Sequence, residues 1–162
     1  MNSRSLAAWT AALCMGCSAT GPSPSATPSA VFDRYVDAVH AADMVSVRAL
    51  IATDVERSDF AGCRPEMDNP TCLAHYIETT VVKPRARLTE LRRRVEGDTV
   101  LSDLEVRSPL YEKAGVARIV GRDIVRVRDG RIVAFRFVPD FADESTAVFF
   151  GTLGIGPRAR RS

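Results

Sequence analysis

No apolar run in the 162 residues reaches the roughly 18 to 20 that a spanning helix requires, so nothing after the first twenty residues reads as transmembrane. Charge of one sign is missing too. The chain carries 22 Lys and Arg against 20 Asp and Glu, a formal +2. Without a leader segment containing Arg4 the count becomes 21 against 20, or +1. That balance gives no field that would argue for nucleic acid or an anionic membrane surface. Aromatic residues make up only 7% and do not interleave with Arg85, Arg87 or the Arg92 to Arg94 run, so a solvated strand face outranks a nucleic-acid groove. Histidine is scarce: His40 and His75 both fall in helical stretches, and no Ser or Cys nucleophile stands in a recognisable order with either, which excludes a legible catalytic triad. Gly154 and Gly156 lack the strand-turn-helix context and spacing of a phosphate loop. With 46% hydrophobic residues, the length suits one core and is too short for two.

What is present begins with an address. Met1 to Cys17 has one cation at Arg4, a short apolar stretch from Leu6 to Met15, and small Gly16 before Cys17, the order of a secretory signal. It resembles a bacterial lipoprotein signal, which would make Cys17 the lipidated N-terminus, although Cys14 stands where that pattern usually has Leu. A soluble secreted protein, or a cytosolic one with an irregular N-terminus, are the other readings. Residues 18–29, rich in Pro, Ser and Thr with no large apolar side chain, read as an extended tether. A domain follows over 30–140, and 141–162 form a C-terminal extension whose Ala147 to Phe150 segment could cap the open end of the core. The expected location is outside the cytoplasm, as a cell-envelope lipoprotein or a secreted protein, with a membrane reached only through the lipid anchor.

Cys63 and Cys72 flank a turn-rich loop and in an oxidising compartment are most simply a disulfide. The alternative, a metal site using both cysteines and His75, offers only three ligands and no paired CxxC, so no metal is expected.

From Ser29, placed as the cap, Val31, Phe32, Tyr35, Val36, Val39 and Ala42 recur at helical spacing. A second helix is expected over Val45 to Ala52, a short strand or loop over Asp54 to Gly62, and a third helix from Asn69, Pro70 or Thr71 carrying Leu73, Tyr76, Ile77 and Val81 until Pro84 stops it. The period then changes to two over Leu88 to Val95, Thr99 to Ser108, Val116 to Arg128 and Arg131 to Val138, with a hairpin at Asp129-Gly130. Helices followed by an antiparallel sheet make an α+β fold. Alternation along the third strand puts Ala117, Ile119, Gly121, Asp123, Val125 and Val127 on the core side. An inward Asp123 must be protonated, paired with an Arg such as Arg93 or Arg136, or placed beside a cavity. Arg92, Arg93 and Arg94 cannot all point outward.

The segments Val31 to Asp43, Ala49 to Ile51 with Asp54, and Arg122 to Val127 with Gly130 to Val133 resemble the nuclear-transport-factor-2-like superfamily, in its SnoaL-like and ketosteroid-isomerase branches. That resemblance implies a cone: a curved antiparallel sheet of four to six strands with three N-terminal helices packed on its concave face. It also implies site residues, with Tyr35 at the oxyanion-hole tyrosine, Tyr76 at the tyrosine supporting it, Asp123 at the protonated acid completing the hole, and Asp59 at the catalytic base. The implied chemistry is cofactor-independent proton transfer beside the carbonyl of a small apolar ligand, isomerase-like or cyclase-like. A non-catalytic domain, using the cone as a ligand pocket or the sheet as a surface for a second copy, stays open, because fold does not fix function.

Overall fold

The structure, a computed structural model, describes residues 26–56, 58, 60 and 62–156. The first helix, α1 (Pro28–His40), starts within the stretch read as tether. Its cap is Thr27, whose hydroxyl accepts from the Ala30 amide at 3.2 Å, and not Ser29, which lies inside the first turn. Pro28 explains the shift: lacking an N–H and fixed near helical φ, it suits the first helical position. Asp43 caps α2 (Met44–Leu50) by accepting from Val45 and Ser46 at 3.0 Å each. This helix stops short of Ala52 because Ile51 turns extended and bridges Ile132. Asp68 caps α3 (Asn69–Ile77), and Pro70 again occupies the first turn. The helical path then widens into a π turn, Glu78–Val82. There the Thr79 and Thr80 hydroxyls donate back to the carbonyls of His75 and Tyr76 at 2.8 and 2.7 Å.

The sheet is an antiparallel meander in chain order: β1 (Arg87–Glu96), β2 (Thr99–Arg107), β3 (Ile119–Arg128) and β4 (Arg131–Pro139). Asp129 and Gly130, with φ of 51° and 72°, make the β3–β4 turn, the positive pair a two-residue hairpin of matching twist requires. The sheet curves, and the three N-terminal helices cover its concave face in an α+β arrangement, with Phe32, Tyr35, Leu73, Ile77, Val100, Val125 and Ile132 in the core. Of the strand or loop expected over 54–62, the described residues of that stretch form turns and loop.

Two elements were not anticipated. Ser108 leaves β2 and caps a short helix, α4 (Pro109–Lys113), which buries Tyr111. The extension folds into α5 (Glu144–Thr152), capped by Asp143. Thr146, fully buried, accepts from the Val120 amide at 2.7 Å and donates to Asp143, and Asp143 pairs with Arg118 at 2.9 Å. These contacts fasten α5 to the start of β3.

Among the described residues no helix is long and apolar enough to cross a membrane. Cys63 and Cys72 are bonded, with Cα atoms 5.2 Å apart, so neither sulfur is free to act as a metal ligand. A disulfide and the lack of such a helix are compatible with an exported protein. Cys17, the signal segment and most of the tether lie outside the described residues.

Candidate functional site

The third strand positions the chemistry. Ile119, Gly121, Asp123, Val125 and Val127 are all buried on its inward face, in the alternation a half-buried strand requires. Asp123 is therefore held inside the cone by backbone register, at 3% exposure, directly opposite Phe137 of β4 and Ser102 of β2. Tyr35, at 1% exposure, projects from the buried face of α1, where its ring packs edge-on against Phe135 at 5.6 Å. Tyr76 comes from α3, its ring stacked on Phe60 at 4.5 Å. All three side chains line one cavity of about 180 Å³, whose remaining wall is almost wholly apolar.

Among the described residues no cation pairs with Asp123. Of the arginine run, Arg93 is the one turned inward, because a bulge between Glu90 and Arg92 shifts the register and leaves Leu91 exposed. Arg93 then pairs with Asp33 at 2.7 Å and Glu90 at 2.8 Å and lies over the Phe32 ring, while Arg136 is exposed. The expected alternative of an Arg93 or Arg136 salt bridge to Asp123 is thus overturned. Among the described residues neither the Asp123 carboxyl nor the Tyr35 hydroxyl has a hydrogen-bond partner. Burial alone pushes Asp123 up to about 8, which keeps the group protonated at neutral pH. Burial also raises Tyr35 well above an ordinary phenol, with the nearby Asp123 and then Tyr76 adding to the rise. Tyr76 is raised by burial first and by Asp123 second, and burial pushes Tyr111 up to about 12. The cavity therefore presents un-ionised O–H donors, two of them with no acceptor among the described residues, an arrangement that can bind an oxygen acquiring negative charge.

Of the residues singled out in the sequence, Tyr35, Tyr76 and Asp123 come together at this cavity, whereas Asp59 lies outside the described residues. His40 is exposed and accepts from the Leu88 amide at 3.1 Å, a structural contact at the start of β1. His75 stands half-buried near Gly62 and does not line the cavity. Sequence reasoning missed Tyr111 and Phe137 as wall residues. The Ser108-Pro109 pair, a cap followed by a first-turn proline, was the available signal for the helix that carries Tyr111.

Comparison with known proteins agrees with this fold. A SnoaL-like domain family matches residues 32–135. Among solved structures, a Δ5-3-ketosteroid isomerase from a Mycobacterium species is 22% identical, with a TM-score of 0.54 over 72% of this chain and 96% of that one. A putative polyketide cyclase from Sinorhizobium meliloti is 17% identical, with a TM-score of 0.53 over 66% of this chain and 92% of that one. An epoxide hydrolase from M. tuberculosis is 16% identical, with a TM-score of 0.52 over 76% of this chain and 90% of that one. At these identities the likeness shows the fold. No curated protein matches the chain.

Proposed function

The chain belongs to the SnoaL-like domain family, and from that premise we propose that its cavity binds a small, largely apolar carbonyl compound and moves a proton next to the carbonyl. The observation that carries this reading is a carboxyl group buried at 3% exposure with neither a cation nor a hydrogen-bond partner among the described residues. That carboxyl lines an otherwise apolar cavity, so a ligand polar atom placed there would supply the hydrogen bond it does not make within the fold. A ligand oxygen between Asp123 and Tyr35 would receive two hydrogen bonds that strengthen as enolate charge develops. Asp59, assigned by resemblance, is the base that removes the proton from the adjacent carbon and returns it, leaving the bonding electrons to move into the enolate and back. Tyr76 supports Tyr35. No cofactor enters this scheme.

One observation favours a second reading. Among the described residues Asp123 is the sole carboxylate lining the cavity, and a protonated acid cannot serve as the base. A non-catalytic carrier of the same ligand class needs no base. Incubation with a cyclic ketone in D₂O separates the two, because enolisation exchanges the protons beside the carbonyl. The enzyme reading expects exchange lost in Asp59→Asn and reduced about 10²- to 10³-fold in Asp123→Asn. Binding without exchange would favour the carrier.

We also infer that the protein is exported and held by lipid at Cys17. The Cys63–Cys72 bond supports an oxidising compartment. Intact-mass measurement of the mature protein tests the anchor: cleavage elsewhere, or a free thiol at Cys17, would contradict it.

A further inference from the structure

The cavity wall has two origins. Tyr35, Tyr76, Leu104 and Asp123 belong to the family-matched stretch 32–135, while Phe149 and Phe150 of α5 lie beyond it. The C-terminal helix is seated firmly on the domain rather than laid against it. Thr146 is bonded to the Val120 backbone, Asp143 is paired with Arg118, and Phe149 meets Tyr111 edge-on at 4.7 Å. Phe150 in turn faces Phe137 at 6.4 Å and Phe141 at 6.0 Å. Leu110, Leu153 and Ile155 line the same cavity yet are 45%, 58% and 44% exposed, so they mark where it meets solvent. The chain leaving α5 therefore forms one side of the mouth.

The cavity, open to solvent at that mouth, is small for the chemistry proposed. An apolar cavity of about 150 Å³ takes up benzene, and sites for drug-sized molecules run to about 300 to 1,000 Å³. At about 180 Å³ this one has room for one or two fused rings. Phe149 and Phe150 line it from the C-terminal side, beside the residues that mark its mouth.

We propose that α5 is the specificity wall of this cavity, with Phe149 and Phe150 confining the ligand to a one- or two-ring apolar carbonyl compound and excluding a four-ring one. The proposal rests on the carbonyl-binding reading for the chemical class of the ligand, and on α5 alone for its size.

The test is a size series measured by calorimetric titration: 2-cyclohexenone, 2-tetralone and a four-ring 3-ketosteroid, with tetralin as the two-ring hydrocarbon lacking the oxygen. The chain should bind tetralone at least tenfold more tightly than the four-ring ketone. Phe150→Ala should erase that preference by admitting the larger ligand. Should Phe150→Ala fail to fold, Phe149→Leu, which keeps an apolar side chain at the buried position, makes the same comparison. Tetralin bound as well as tetralone, with four-ring compounds still excluded, leaves the size wall standing while removing support for oxygen recognition. Equal affinity for two-ring and four-ring ketones, an unchanged preference in the folded variant, or no binding of either tetralone or tetralin overturns the proposal.

Discussion

Phe137 lies across Gly121: a β-carbon on the glycine would fall 2.3 Å from Cζ of that ring and 2.8 Å from the carbonyl oxygen of Val138. Phe137 is also the cross-strand partner of Asp123 and lines the cavity. The glycine is thus a close-approach position that lets an aromatic ring cover the inner face of β3 beside the buried carboxyl. Gly121→Ala should cost about 1 to 3 kcal/mol, the range for overpacking a filled core, and should push the ring toward the cavity. Adding Phe137→Leu should recover part of the loss. Urea unfolding of the single and double variants measures the coupling; simple additivity would contradict the contact.

The buried carboxyl predicts a pH dependence with a definite sign. Asp123 ionises near 3.8 when solvated and near 8 in the fold, so between these limits the folded state holds a proton that the unfolded chain has released. Its contribution is fully favourable below about pH 4, declines at up to about 1.4 kcal/mol per pH unit, and is lost above about pH 8. Asp123→Asn removes this slope. Denaturant titrations should find the variant close to the parent at pH 5 and more stable by roughly 2 to 5 kcal/mol at pH 9. Parallel profiles for the two proteins would mean that Asp123 is ionised throughout.

Tyr35→Phe should separate stability from binding. The hydroxyl is buried without a partner among the described residues, so its deletion removes an unsatisfied polar group and leaves the packing against Phe32 and Phe135 in place. The thermal midpoint should hold or rise while affinity for a ketone falls about tenfold. A drop of several degrees without loss of affinity would make Tyr35 a structural residue.

Opening the Cys63–Cys72 bond, which closes a loop with a sequence separation of 9, should cost about 2 to 3 kcal/mol by the chain-entropy relation. Cys72 is buried one helical turn before Tyr76 on α3, so the loss should be accompanied by weaker ligand binding. The paired Cys63→Ser, Cys72→Ser variant, followed by thermal unfolding and ketone titration, checks both effects.

The parts of this fold that were legible in the sequence are those governed by periodicity. Strand alternation alone turned Asp123 inward, and the Asp129-Gly130 pair marked its hairpin. What alternation could not supply was the partner of an inward charge. Arg93 was a reasonable candidate until the bulge after Glu90 and the Asp33 carboxylate on α1 redirected it, and both depend on tertiary register. Ser29 carries a capping hydroxyl just before the apolar repeat, which points to it alone, and Pro28 in the first helical turn moves the cap to Thr27. The apolar Ala147 to Phe150 segment suggested a covering element, but its place against Tyr111 and Phe137 required the fold. Asp59 was legible through resemblance alone.

The most direct test of the carbonyl-binding site is the ¹³C resonance of 2-tetralone labelled at its carbonyl carbon and bound to the chain. Hydrogen bonds from the neutral Asp123 and Tyr35 should draw electron density toward the oxygen and move the resonance downfield of its position in an apolar solvent. Asp123→Asn and Tyr35→Phe should each reverse part of that displacement, and the double variant should remove it. A bound resonance that matches the apolar solvent and does not respond to either substitution would show that the oxygen is not held by these two groups.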